Sequence, residues 1–323
     1  MIVVTGGAGF IGSCYIKKLN DQGIDDILVV DHLASDEKWK NLRKKKFRDY
    51  CEKDTFLARL LRDDFGKTIT AIHHIGACSS TTENNASYLV ANNYEYSQHL
   101  ARHAIKHNIY FAYASSAATY GDGGNGYSDN HETIESLMPL NMYGFSKHLF
   151  DLWIIRNKLA DKVVGFKYFN VFGPNEYHKE DMRSLVCKAY DQIQASGKIR
   201  LFKSYKDPYR DGEQKRDFVY IKDVVDIMAA IAERRTIHGI VNIGTGCARS
   251  WNDLARAIFA ALGKKPATEY IPMPETIKEK YQYFTEADMH KLSQCGIPFS
   301  FRPLEASVAD YIQNHLTQED RYW

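Results

Sequence analysis

Cysteine is scarce: 323 residues carry six thiols, Cys14, Cys51, Cys78, Cys187, Cys247 and Cys295, and no two are spaced as CxxC. A zinc cluster or a disulfide framework needs paired or dense cysteines, so no metal is expected and the thiols read as reduced, in a cytoplasmic protein. Charge of one sign is also missing. Forty-two Lys and Arg face forty Asp and Glu, a net charge of +2, which leaves no basic footprint for nucleic acid and no acidic tail. No apolar run approaches the ~18–20 residues that cross a bilayer, so no membrane partner is expected. Met1 leads at once into a short apolar run and a glycine turn, unlike a cleavable leader. Repeats, low-complexity tracts and Pro/Ser linkers are absent too. Arg43–Arg48 has five basic residues in six, which reads as solvated surface.

What is present is an ordinary apolar fraction of 44% with an excess of aromatics, 21 Tyr and 16 Phe, mostly assigned to packing. At roughly 150 residues per domain the length suggests about two domains. Short apolar runs alternate with amphipathic stretches: strands at Ile2–Thr5, Ile27–Val30, Ala71–His74, Ile109–Tyr113 and Val163–Tyr168, helices at Phe10–Asn20, Glu83–Lys106 and Leu140–Asn157. Strands separated by helix-length segments imply βαβ units, hence an α/β fold of Rossmann type, a doubly wound parallel sheet. After Asn170 the rhythm changes. Pro174–Arg183 and Lys203–Lys215 read as polar loops. The pattern resumes with Asp217–Tyr220, helix Asp223–Glu233 and strand Ile240–Ile243, and the tail from Trp251 holds short helices and prolines. The expected organisation is a nucleotide domain of residues 1–170 plus about 217–245, and a smaller, discontinuous α/β substrate domain of about 171–216 plus 246–323.

Thr5-Gly6-Gly7-Ala8-Gly9-Phe10-Ile11-Gly12 lies between the first strand and the first helix. Gly6, Gly9 and Gly12 form GxxGxxG. Residues without Cβ let the backbone approach a pyrophosphate, and a helix N-terminus offers free N–H groups to it. Asp31 closes the next strand about twenty residues on, where an acid meets the adenosine ribose. An acid there favours NAD, whereas Lys38, Lys40 and Lys53 could neutralise a 2′-phosphate. The residues alone leave both cofactors open.

Tyr143 and Lys147 stand four apart in YGFSK and share one helix face. A free phenol with pKa near 10 is a poor base, and a nearby ammonium lowers that value. The phenolate then takes a proton from an alcohol as hydride leaves for a nicotinamide. Ser115-Ser116 ends the fourth strand, at the sheet edge where such folds bind ligands, and a hydroxyl there can hold the same alcohol.

In this order, the motifs TGGAGFIGS, SSAATYG, YGFSK, YFNVFGPNEYHK, RDFVYIKDV and NIGTG resemble the extended short-chain dehydrogenase/reductase family of nucleotide-sugar enzymes over almost the whole chain. GACSSTTE, YASSAATYG, GPNEYHK and YQYFTEADM are similar to its ADP-heptose 6-epimerase branch. The resemblance implies a tightly bound, recycled NADP and an ADP-heptose substrate whose C6 is oxidised and re-reduced on the other face. It implies a homo-oligomer, often a pentamer in that branch. It gives Tyr143 and Lys179 as the two acid/base groups, with Lys147 and Ser116 beside Tyr143. Carried position by position, Phe10, Ile11, Asp31, His32, Lys38, Lys53, Ile75, Gly76, Ala77, Cys78, Ser79, Asn92, Lys147, Val171 and Lys179 join Gly6, Gly9 and Gly12 around the cofactor. Ser116, Asn170, Lys188, Phe202, Lys203, Ser204, Tyr205, Arg216 and Tyr281 take the substrate. The alternatives are another nucleotide-sugar epimerase or dehydratase of the family, or a non-catalytic sensor, which has no need of Tyr143, Lys147 and Ser116 together.

Overall fold

A computed structural model describes residues 1–278 and 281–323. Its strands in chain order are β1 (Ile2–Thr5), β2 (Ile27–Asp31), β3 (Asp49–Glu52), β4 (Ala71–His74), β5 (Tyr110–Ser116) and β6 (Val164–Tyr168). Then follow β7 (Asn170–Phe172), β8 (Ile199–Phe202), β9 (Lys215–Tyr220), β10 (Gly239–Ile243), β11 (Ala248–Ser250) and β12 (Thr268–Ile271). Seven of them pair in the order β10-β6-β5-β4-β1-β2-β3, and every pair is parallel. A sheet covered by helices on both faces needs strands apolar throughout. β2 and β6 are buried at every position. The strand order reverses between β1 and β4, the switch point at which doubly wound sheets open a ligand crevice.

The helices that carry the site are α1 (Phe10–Asp21), α2 (Lys53–Leu61), α3 (Ala86–Leu89), α4 (Tyr96–Lys106) and α5 (Met142–Arg156). Beyond them lie α6 (Leu185–Ser196), α7 (Ile221–Arg234) and α8 (Trp251–Ala261). Apolar spacing buries Phe10, Tyr15, Ile16 and Leu19 along α1. Ile16 is fully buried, so its truncation to Ala costs about 2–5 kcal/mol. α5 starts where Asn141 Oδ1 accepts from Gly144 N at 2.8 Å, a side chain satisfying a free end of the helix.

Three places depart from the sequence reading. The helix expected over Glu83–Lys106 starts after the Asn85 cap and is broken by a π-helical turn, Val90–Glu95. β3 and α2 were not expected. Only Cys51 of β3 is buried, and an edge strand covered by charges carries no apolar signature. Asp217–Tyr220 was expected in the large sheet, but β9 pairs with β7 and β11 in a second, three-stranded sheet. Of the later strands, β10 returns to the large one. β12 and β8 form a third, two-stranded sheet. One continuous core joins one face of the large sheet to the smaller sheets, running from Ile16 and Phe166 through Val224 and Val241 to Ile193 and Phe259, and a second core on the other face packs Val3, Leu28, Phe56, Leu100 and Phe150. In the basic run Arg43–Arg48, Lys45 turns inward, with Nζ 2.5 Å from the Trp323 carbonyl.

Candidate active site

The glycine turn sits on the switch point. Gly6 has φ +65°, and a Cβ there would lie 2.5 Å from Gly76 Cα; a Cβ on Gly12 would lie 2.1 Å from the Gly6 carbonyl. Neither position admits a side chain. The N–H groups of Phe10, Ile11 and Gly12 form the open first turn of α1, which favours an anion. Behind the turn, Gly76 N donates to Thr5 Oγ1 at 3.2 Å. Thr5 Oγ1 lies 2.7 Å from His74 Nδ1, and His74 Nε2 lies 2.8 Å from Ser97 Oγ. Ser97 donates to the Asn93 carbonyl at 2.7 Å, so it accepts from Nε2–H, and Nδ1 accepts from Thr5. Burial, aided by the Lys147 charge, pushes the His74 pKa down to about 3 and keeps that ring neutral.

Asp31 is already engaged. Its Oδ2 accepts from Ala8 N at 2.8 Å, and its Oδ1 meets Lys38 Nζ at 2.9 Å. Lys38 faces the crevice. His32 instead lies 3.1 Å from Glu52, and Lys53 donates to Asn92 Oδ1 at 2.6 Å. Neither pair borders the crevice. That crevice is one cavity of about 1020 Å³ running from the glycine turn, past Ile75–Ser80, to Asn170, Lys179, Lys188, Phe202 and Tyr281.

Ser116, Tyr143 and Lys147 meet on its wall. Lys147, 5% exposed, donates to the Ala114 carbonyl at 2.9 Å. Burial pushes its pKa down to about 8, against the pull of Asp151 and Cys78. Burial raises the Tyr143 phenol, and the neighbour that pulls it back down is Ser116. The sequence reading gave that part to Lys147, whose ammonium is turned to the strand. Asn93, in the π-helical turn, holds the crevice together: Oδ1 accepts from Cys78 N at 2.9 Å, and Nδ2 donates to Cys78 O and to Ser146 Oγ, both at 3.0 Å. Ser146 donates in turn to the Tyr143 carbonyl at 2.8 Å.

Lys179 comes from a short helical turn, Tyr177–Met182, in the loop after Pro174. Its Nζ lies 5.5 Å from the Phe10 ring, beside the glycine turn. Burial lowers its pKa and Glu176 opposes the shift. Glu176, 1% exposed, pins the loop: it accepts from Ser184 N at 2.5 Å, Ser184 Oγ at 2.6 Å and Tyr311 OH at 3.1 Å. Further along, Arg216 is buried with its guanidinium 5.7 Å from the Trp251 ring and 5.1 Å from the Tyr281 ring. Trp251 Nε1 donates to Tyr281 OH at 2.9 Å. Among the described residues no carboxylate pairs with Arg216. A buried guanidinium without a counter-ion favours an anionic guest. Trp251 and Tyr281 border the cavity, with Arg216 behind them. Lys203, Ser204 and Tyr205 lie outside its wall, held by Ile271, Asp211 and Tyr283.

Sequence reasoning missed His178, Gln192, Arg200 and Trp251 on the wall, and the buried supports Asn93, Ser146 and Glu176. Loop residues and stacking partners leave no spacing signal. One metal-type group occurs among the described residues, Asp63, His103 and His107, with ligand atoms within 4.8 Å. It lies where α4 leads into β5, at the opposite sheet edge from the crevice, and no hydrogen-bonded support orients its rings.

Residues 2–244 match the NAD dependent epimerase/dehydratase family. Over 322 residues, all of both chains, the protein is 50% identical to the ADP-L-glycero-D-manno-heptose-6-epimerase of Nitratidesulfovibrio vulgaris strain DP4. It is 47% identical to the enzyme of that name from Fusobacterium nucleatum, again over 100% of each chain. The crystal structure of the Helicobacter pylori ADP-L-glycero-D-manno-heptose-6-epimerase is similar at a TM-score of 0.79 and 28% identity, covering 97% of this chain and 95% of that one. Among the described residues no helix is long and apolar enough to cross a membrane.

Proposed function

The chain belongs to the NAD dependent epimerase/dehydratase family, and from that premise we propose that it interconverts ADP-D-glycero-β-D-manno-heptose and ADP-L-glycero-β-D-manno-heptose, a step towards the heptose of lipopolysaccharide core, with a retained NADP. The observation that carries the reading is that two desolvated proton carriers on unrelated elements, Tyr143 on α5 and Lys179 on the Pro174–Arg183 loop, border one cavity that begins at the glycine turn. Inversion without net redox presents two differently placed alcohols, and two acid/base groups suit one to each.

The cofactor fits the turn. Glycine at 6 and 12 lets the turn pack against Gly76 and on itself, and the open α1 N-terminus above it supplies donors to a pyrophosphate. Lys38, with Asp31 already satisfied beside it, suits a 2′-phosphate and favours NADP. A bound NADP would supply the hydride acceptor for C6 oxidation and, once reduced, the hydride donor for its reversal. Tyr143 takes the proton of one C6 hydroxyl, with Ser116 holding the oxygen, and Lys147 supplies positive charge behind them. Lys179 serves the other epimer from the opposite element. Arg216, behind Trp251 and Tyr281, supplies positive charge for the substrate diphosphate, and Asn170, Lys188 and Phe202 on the wall position the sugar and its nucleotide, with Lys203, Ser204 and Tyr205 supporting Phe202 from outside it. His32, Lys53 and Asn92 form the outer support of the ribose end. The proposed division remains residues 1–170 with about 217–245 for the cofactor and the remainder for the substrate, in a cytoplasmic homo-oligomer, a pentamer being in keeping with the branch.

The test is incubation with ADP-D-glycero-β-D-manno-heptose in deuterated water without added cofactor, with the C6 configuration read by NMR. The reading expects the L-glycero epimer with no deuterium at C6. Protein that retains NADP and yields no epimer contradicts it.

A further inference from the structure

The search outside the cavity ends at the most deeply buried ion pair in the fold. Asp151 and Lys167 are both fully buried, Nζ 2.7 Å from Oδ2, and neither borders the cavity. Asp151 lies one helical turn after Lys147 on α5, two turns after Tyr143. Its Oδ1 accepts from Tyr113 OH at 2.9 Å and its Oδ2 from Ser115 Oγ at 2.7 Å. Lys167 also donates to Thr119 Oγ1 at 2.5 Å, and Thr119 donates to the Ser116 carbonyl at 2.8 Å. One carboxylate therefore ties α5 to the ends of β5 and β6 at the residue before Ser116 and, through Lys167 and Thr119, at Ser116 itself.

We propose that Asp151, balanced by Lys167, is the positioning residue of the proton-transfer site: it ties the end of β5, and with it Ser116, to the helix that carries Tyr143 and Lys147. The proposal rests on the epimerase reading above. Stability does not account for the pair, because a buried ion pair is often no better than well-packed apolar side chains. Charge does. Lys147, Asp151 and Lys167 make two cations to one anion, so Asp151 is the group that keeps two buried ammoniums compatible. The groups facing Lys147 are Tyr143 and Asp151 on its own helix, neutral His74 on β4, Cys78 on the loop after β4, and Lys167 on β6 behind Asp151. Of these, Asp151 is the largest influence holding the Lys147 pKa up against burial. Removing its charge lowers that pKa. A merely structural role produces no such shift.

The test is the pH profile of kcat for the full chain with its bound cofactor, in wild type, Asp151→Asn, Asp151→Glu and Lys167→Met. The alkaline limb moves down by about one pH unit in Asp151→Asn and returns towards wild type in Asp151→Glu, whereas Lys167→Met, which cuts the link through Thr119 to Ser116, lowers kcat and leaves KM unchanged. A parallel titration of NADPH fluorescence across pH reads Lys147 without the sugar substrate. If wild type fails to epimerise, the functional reading falls while this titration still decides the positioning role. An unshifted limb in Asp151→Asn, even with kcat lowered at every pH, overturns the proposal. If Asp151→Asn does not fold, Lys167→Met decides alone: a lowered kcat with KM kept supports the proposal, and an unchanged kcat overturns it.

Discussion

Tyr143 and Lys179 face the same cavity from supports of opposite kinds. Tyr143 stands in the first turn of a long helix, laced to the strand ends by Asn93, Ser146 and the Asp151–Lys167 pair. Lys179 stands on a short turn that includes a non-glycine residue at positive φ, Glu180 at +46°, beside the buried carboxylate Glu176. Regular elements fix Tyr143, whereas the Lys179 turn is held by scattered side-chain bonds: Glu176 to Ser184 and Tyr311, Asn41 to the Asn175 carbonyl, and Tyr177 OH to the Arg321 carbonyl. One proposed proton carrier thus sits on a regular helix and the other on an irregular turn.

Variants sharpen this contrast, the largest effect first. Tyr143→Phe removes the phenol from an otherwise intact lattice, and kcat for epimerisation is expected to fall about 10³-fold with thermal unfolding unchanged. Lys179→Met is expected to cost about 10²-fold in kcat; full activity would remove Lys179 from the chemistry. Arg216→Lys keeps the charge but loses the planar fork, so KM for the ADP-sugar rises about tenfold or more while kcat changes little. Lys38→Ala is expected to weaken NADPH about tenfold in a fluorescence titration and to leave NADH unchanged. Glu176→Gln leaves the loop fold but loosens its pin: the unfolding free energy drops by about 1–3 kcal/mol, and kcat falls further than for a substitution of similar size in the Tyr143 lattice, such as Ser146→Ala.

The same contrast explains what the sequence disclosed. The glycine turn, Asp31, Ser116, Tyr143 and Lys147 were legible because periodic elements put them at strand ends and on a helix face, and five of the six large-sheet strands before Asn170 announce themselves as apolar runs. β3 did not, since a charged edge carries no such run, and β9 was placed in the wrong sheet because pairing partners are set by tertiary contact rather than by local pattern. The Asp151 pair left only a trace, an acid one turn beyond Lys147 on the same helix face, and its partner Lys167 comes from a distant strand. Glu176 and the Trp251 platform for Arg216 left none, because contacts across a loop or between distant segments have no period.

The central claim is that two separately supported groups divide the two epimers between them. It is tested most directly by a single-turnover measurement in which each ADP-heptose epimer, alone, is mixed with wild type, Tyr143→Phe or Lys179→Met, and formation of reduced nicotinamide is followed. The account predicts that one variant loses reduction by one epimer and keeps it with the other, and that the second variant shows the reverse. Loss of both epimers in one variant, with the other behaving as wild type, would contradict it.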